Sequence, residues 1–131
     1  PTTLPASVPI LTMGVADDGR LLDRLTERKE RRLTHGLVIA GMASGTVPEI
    51  AYQKMLALSR HGLPIVLCSS ATSGWTNAEY YYPKVYDELR EAGVCIEDYL
   101  SPRKTRIRLM LCVGLGIPYV PFGQEFLMSA V

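Results

Sequence analysis

The chain has 131 residues, of which 47% are apolar and 21% charged, a balance that fits one globular domain and excludes wholesale disorder. Fourteen basic and 13 acidic side chains leave a net charge of +1, so neither a nucleic-acid footprint nor a charge-driven membrane surface is present. The most apolar uncharged stretch, Leu109 to Phe122, is shorter than the about 20 residues a bilayer span takes, and Gly114, Gly116, Pro118 and Pro121 interrupt it.

Pro1 to Val8, with two prolines, two threonines and a serine, reads as a linker or loose end before a domain spanning 9–131. Val8 to Met13 is a short apolar run. Asp18 to Arg32 follows with Leu21, Leu22 and Leu25 at helical spacing, and Gly36 is the expected stop. Leu37 to Ala40 lacks alternation, as a strand buried on both faces does. Thr46 and Glu49 then stand three apart, as a capping box requires, with Pro48 in the first turn. Ile50, Ala51, Met55 and Leu58 share one face of that helix, which His61-Gly62 closes. Pro64 to Cys68 is a third buried strand. The polar loop Ser69 to Glu79 leads to a helix over Pro83 to Glu91, ending at Gly93, and Val94 to Ile96 is a fourth strand. Ser101-Pro102 is an N-cap with proline at the first helical position. Ile107, Met110 and Leu111 are expected to line the last helix, and Gly114 and Gly116 to end it. Strands alternating with helices predict one doubly wound α/β domain, about four parallel strands with helices on both faces.

Ligands of such sheets bind beyond the carboxyl ends of the strands, which directs attention to three loops: 14–19, 41–46 and 69–79. Gly41-Met42-Ala43-Ser44-Gly45-Thr46 opens a helix, whose free N–H groups attract anions. A carboxylate could be held there with the Ser44 and Thr46 hydroxyls, or Thr46 could serve only as a cap. The loop is neither a P-loop nor G-x-G-x-x-G. Ser69 to Glu79 is rich in hydroxyls, holds the sole Trp and is longer than most connections. Glu79 either pairs with a substrate ammonium or simply favours a helix N-terminus. Tyr80, Tyr81 and Tyr82 suit an interface or a cap on the core, and the mixed-sign run Glu27 to Arg32 suits a solvated face.

Cys68, Cys95 and Cys112 are odd in number and lack any C-x-x-C pair, so they read as reduced core thiols. His35 and His61 have no ligand spacing with them, and neither metal nor cofactor is expected. No Ser-His-Asp or Cys-His constellation is readable. Polar loops without a nucleophile read as one part of an active site whose other part lies elsewhere.

Three stretches in order carry a family likeness. His35-Gly36-Leu37-Val38-Ile39-Ala40-Gly41, continued by Ser44-Gly45-Thr46-Val47-Pro48, resembles the C-terminal domain of bacterial-type L-asparaginases. Gly62 to Ser70 is similar to the strand and Ser/Arg-rich loop that come next in that family. Ser101-Pro102-Arg103-Lys104-Thr105-Arg106 resembles its L-x-P-x-K-A-R helix start. The order holds from about Val8 to about Gly116. The resemblance implies an amidohydrolase of two α/β domains that forms homo-oligomers, usually tetramers built as a dimer of intimate dimers. Its nucleophile domain is absent here, so no catalytic residue is expected in this chain. It implies that Glu79 is the glutamate that contacts the substrate α-amino group. Thr46 takes the place of the family's asparagine in the G-x-G-N turn, with Ser44 two residues before it. The implied substrate is a small amide, L-asparagine or L-glutamine. The departures, Thr46 and a long tyrosine-bearing segment between Glu79 and Ser101, imply a divergent member.

Two other functions fit the same residues. One is the asparaginase-like subunit of a glutamyl-tRNA amidotransferase, which the near-neutral charge disfavours. The other is a non-catalytic module binding a small amino acid or anion. No stretch resembles a signal peptide, and the chain starts at Pro1 rather than Met. Its natural start is expected to be removed or upstream, and the compartment stays open with the cytoplasm slightly ahead. Isolated, the domain is expected to self-associate through the surface its missing partner domain covers.

Overall fold

The computed structural model describes residues 7–12, 20–41, 49–69, 83–97 and 99–122. In chain order the elements are β1 (Ile10–Thr12), α1 (Arg20–Arg24), α2 (Arg28–Leu33), β2 (Leu37–Gly41), α3 (Glu49–Arg60), β3 (Ile65–Ser69), α4 (Pro83–Glu91), β4 (Cys95–Glu97) and α5 (Pro102–Leu115). The four strands form one sheet in the order β1-β2-β3-β4, every pair parallel. Helices cover both faces, as expected from the alternation of elements.

The side-chain alternation of each strand decides which helix it meets. Leu37, Ile39, Ile65, Leu67 and Ile96 face one way, onto a cluster with α1, α3 and α4 that includes Leu22, Met55 and Leu89. Val38, Val66 and Cys68 face the other way, onto Leu109 and Cys112 of α5, with Val8 and Tyr119 beside them. Strands buried on both faces need apolar residues at every position, which is why β2 and β3 read as unbroken apolar runs. Before β1, the Ser7 amide donates to His35 Nδ1 at 2.8 Å, and the His35 amide returns a bond to the Ser7 carbonyl at 2.8 Å.

Three local expectations change. The helix expected over Asp18 to Arg32 divides in two. Leu25, Thr26 and Glu27 close i−3 backbone bonds, and the Thr26 hydroxyl donates to the Asp23 carbonyl at 2.6 Å. Such a side-chain bond offers the backbone an alternative to the helix ladder. Leu22 and Leu25 stay in the core, whereas α2 buries nothing. Gly36 does not cap a helix, because α2 ends at Thr34 in an extended conformation. It is required for close approach: a Cβ there would lie 3.2 Å from Leu109 Cδ2 and 3.4 Å from Val8 Cγ2. Gly36→Val is therefore expected to lower stability by about 2 kcal/mol by overpacking this contact, and Gly36→Ala by less; a urea titration reads both.

The third change concerns α5. Ser101 caps it, accepting a bond from the Lys104 amide at 3.3 Å, and Pro102 stands at its start. Gly116, not Gly114, ends it, with φ 70° and its amide on the Cys112 and Val113 carbonyls. Gly114 lies buried inside the helix. The inward row is Thr105, Leu109 and Cys112, while Ile107 and Leu111 face out and Met110 is half-buried. Apolar residues stand almost all round this helix, so periodicity alone does not select the row that packs. Space over Gly36 selects Leu109.

Candidate functional site

The carboxyl edge of the sheet is nearly level. Thr12 ends β1 opposite Ala40, Gly41 ends β2 opposite Ser69 of β3, and Cys68 of β3 lies opposite Glu97, the last residue of β4. Gly41 and Ser69, each the root of one polar loop, are thus direct partners on adjacent strands. Neighbouring strands stand about 4.8 Å apart, so both loops begin side by side. The expected site residues Ser44 and Thr46 belong to the first loop and Glu79 to the second; all three lie outside the described residues. The same holds for the capping box at Thr46 and for Tyr80 to Tyr82.

Helix α3, on the far side of the first loop, is held firmly. Its Ala51, Met55 and Leu58 are buried, and its Lys54 forms an ion pair of 2.8 Å with Asp23 of α1. Tyr52 donates a bond of 2.6 Å to Glu88 of α4, and Ser59 donates one of 2.7 Å to the Ala92 carbonyl. These contacts fix α3 and α4 against each other.

Next to the loop roots lies a feature that sequence reasoning missed. Glu97 is fully buried, a charged side chain in a position that needs partners. The Tyr119 hydroxyl donates to its Oε1, as does the Phe122 amide at 3.0 Å. The Tyr99 amide donates to Oε2 at 3.1 Å. Cys95 Sγ donates to the Tyr119 carbonyl at 3.5 Å. The Arg108 guanidinium lies 5.5 Å from the Tyr119 ring and 5.8 Å from that of Phe122. One carboxyl group therefore ties the end of β4 to the turn before α5 and to residues 119–122. The readable signals were an acidic residue directly after the apolar Val94 to Ile96 and a tyrosine beyond the last helix.

The same pocket shifts its neighbours. Burial pushes the Cys68 thiol from 9.0 up to about 11; the Thr105 hydroxyl opposes this and the Glu97 charge adds to it. Burial first, then the charges of Cys112 and Glu97, raise Cys95. Tyr119 is raised as well, by burial and by its bond to Glu97, against the pull of Arg108 and Thr105. All three cysteines are free thiols, Cys68 and Cys112 buried and Cys95 half-buried, and the raised Cys68 and Cys95 stay protonated near neutral pH. None is placed to act as a nucleophile. A shallow depression lined by Arg28, Lys29, Arg32 and Leu33 lies on α2, at the opposite edge of the sheet. Among the described residues no group of His, Cys, Asp and Glu could hold a metal ion, and no helix is long and apolar enough to cross a membrane.

A parallel four-stranded sheet with helices packed on both faces defines the class: an α/β domain. Comparison with known families identifies which. The model of the glutaminase/asparaginase C-terminal domain matches residues 7–118, and the chain belongs to that family. Among solved structures, a probable cytoplasmic L-asparaginase from Campylobacter jejuni superposes with a TM-score of 0.63 at 22% identity. The match covers 82% of this chain and 30% of that protein, so the chain spans under a third of its length. No curated protein matches in sequence.

Proposed function

We propose that this chain is the substrate-site-completing domain of an L-asparaginase-like amidohydrolase. The observation that supports it best is the pairing of Gly41 with Ser69, which starts the Ser44–Thr46 loop and the Glu79 loop from one level on adjacent strands. Sequential strand order adds to this. Within the described sheet no reversal of order opens a crevice of its own, and such reversals are where α/β sheets bind ligands unaided. The loops therefore serve a site completed by another domain.

In this reading the longer protein hydrolyses L-asparagine with water to L-aspartate and ammonia through a covalent acyl-enzyme. The nucleophile lies in the other domain, and this chain orients the substrate. Glu79 takes the substrate ammonium, while Thr46 and Ser44 offer hydroxyls to its polar groups. Thr46 is shorter than an amide side chain, so a substrate other than L-asparagine is within the proposal. Free cysteines suit a reducing compartment, the cytoplasm.

The test is ammonia release by the longer protein. Glu79→Gln is expected to raise KM for the amide by at least about tenfold, the loss of one charged hydrogen bond, with the melting temperature unchanged. An unaltered KM removes Glu79 from the site. A longer protein silent on both L-asparagine and L-glutamine moves the function to another amide or to ligand binding alone.

A further inference from the structure

The chain enters the sheet through Ser7, Val8 and Pro9, and one titratable side chain holds that entry. The β1–β2 ladder pairs Ile10 with Val38, and the same offset sets Ser7 opposite His35. The Val38 amide donates to the Pro9 carbonyl at 3.0 Å. Two residues earlier, a regular parallel ladder would send the Ser7 amide to the Thr34 carbonyl. That carbonyl is instead taken by Arg31 Nη1 at 3.3 Å. The Ser7 amide turns to His35 Nδ1 at 2.8 Å, while the His35 amide donates to the Ser7 carbonyl at 2.8 Å. Pro9 has no N–H to give, which leaves the Ser7 amide to anchor the entry of the strand.

A backbone carbonyl accepts at any pH, but an imidazole nitrogen does not. Nδ1 accepts only while the ring is neutral, with its proton on Nε2. A second proton goes onto Nδ1 and sets donor against donor. The nearby charges oppose that proton as well. From α2, Arg31 lies on the carbonyl of Thr34, the residue before His35; from α5, Arg106 Nε lies on the carbonyl of Val8, the residue after Ser7, at 2.7 Å. Among the described residues, Glu30 and Arg32 of α2 and Arg60 and His61 at the end of α3 make no bond to the ring. Residues 1–6 carry no ionisable side chain. His35 is exposed, so protons reach it, whereas Val8 is buried with Leu109 in the core.

We infer that His35 is a proton-operated latch on the entry of the chain: neutral, it holds Ser7 beside the start of β2; protonated, it lets go. The opened form binds one proton more than the latched form. The latch is therefore closed above the range in which histidine titrates and weakens as pH falls through it. Whatever precedes Ser7 is tethered through this bond, and the buried Val8 confines the release to the residues before it. The latch does not depend on the proposed activity.

Amide exchange of the 131-residue chain, followed by NMR and corrected for the intrinsic pH dependence of exchange, reads the latch directly. A solvated imidazole takes up its proton at about pH 6.5, so Ser7 protection is expected to be about tenfold lower at pH 5.5 than at pH 7.5. The β2 and β3 amides are expected to hold theirs. His35→Asn offers the same amide a carbonyl oxygen that does not titrate, and is expected to keep Ser7 protected at both pH values. His35→Ala is expected to leave it unprotected at both, and His61→Asn to retain the wild-type response. Imidazole nitrogen shifts are expected to place the His35 proton on Nε2 at pH 7.5. The inference is overturned by a Ser7 amide unprotected at pH 7.5, by equal protection at both pH values, or by a pH response that survives in His35→Asn.

Discussion

Glu97→Ala is expected to lower the free energy of unfolding by about 4 kcal/mol, at the upper end of single substitutions. The reason is the number of donors that converge on this carboxyl group. Tyr119 Oη, the Tyr99 amide and the Phe122 amide all turn to it, in a position with no exposure to solvent. Each buried donor left without an acceptor costs about 1–3 kcal/mol. Glu97→Gln keeps one acceptor oxygen but turns a donor toward one of the three, and is expected to cost about half as much. Tyr119→Phe removes a single donor and is expected to cost about 1 kcal/mol. Urea titrations measure all three. Hydrogen exchange adds the location: in Glu97→Gln the Tyr99 and Phe122 amides are expected to lose protection before those of β2 and β3. A cost below about 1 kcal/mol for Glu97→Ala would show that water replaces the carboxyl group and that residues 119–122 are held by packing alone.

How far such a site can be read in advance depends on what the local pattern encodes. The strands β2 and β3 were legible because a strand buried on both faces must be apolar throughout, and Leu37 to Ala40 and Pro64 to Cys68 are. The bounds of α4 and the Ser101-Pro102 start of α5 were legible because caps and prolines act within a few residues. The facing of α5 was not, because Ile107, Met110 and Leu111 satisfy helical spacing as well as Thr105, Leu109 and Cys112 do. Gly36, 73 residues from Leu109 in sequence, decides between them through a contact of 3.2 Å. The break at Leu25 to Glu27 was hidden because Thr26 is an ordinary helix residue until its hydroxyl finds the Asp23 carbonyl. Glu97 was hidden for the opposite reason: in a sequence, an acid beside Asp98 looks like a solvated loop. Its partners Tyr119 and Phe122 lie beyond a whole helix. The loops bearing Ser44, Thr46 and Glu79 stand out in the sequence through hydroxyls, glycines and length, but those three residues lie outside the described ones. The structure contributes the pairing of their roots.

Raising the pH above 9 is expected to destabilise the fold well before general alkaline unfolding, and Cys68 is the main reason. Its thiol is held protonated by burial up to about 11 in the native state, against 9.0 without such surroundings. Between those values the unfolded chain gives up a proton that the native chain keeps. Fewer protons are bound in the unfolded state, so the free energy of unfolding falls as pH rises. The contribution is fully present below pH 9 and is lost by about pH 11, at about 1.4 kcal/mol per pH unit and about 2–3 kcal/mol in all. Cys95 and Tyr119 are shifted in the same direction, so their losses add to this one. Urea titrations at pH 7, 9 and 10.5 are expected to show a midpoint that is steady to about pH 9 and then falls. Cys68→Ala is expected to be less stable at pH 7, by the loss of a buried sulfur, but to fall less steeply above pH 9. A variant with the wild-type slope would assign the alkaline loss to Tyr119 and Cys95 instead. Alkylation gives an independent reading: at pH 8 Cys68 is expected to react only as fast as the chain unfolds, and half-buried Cys95 sooner.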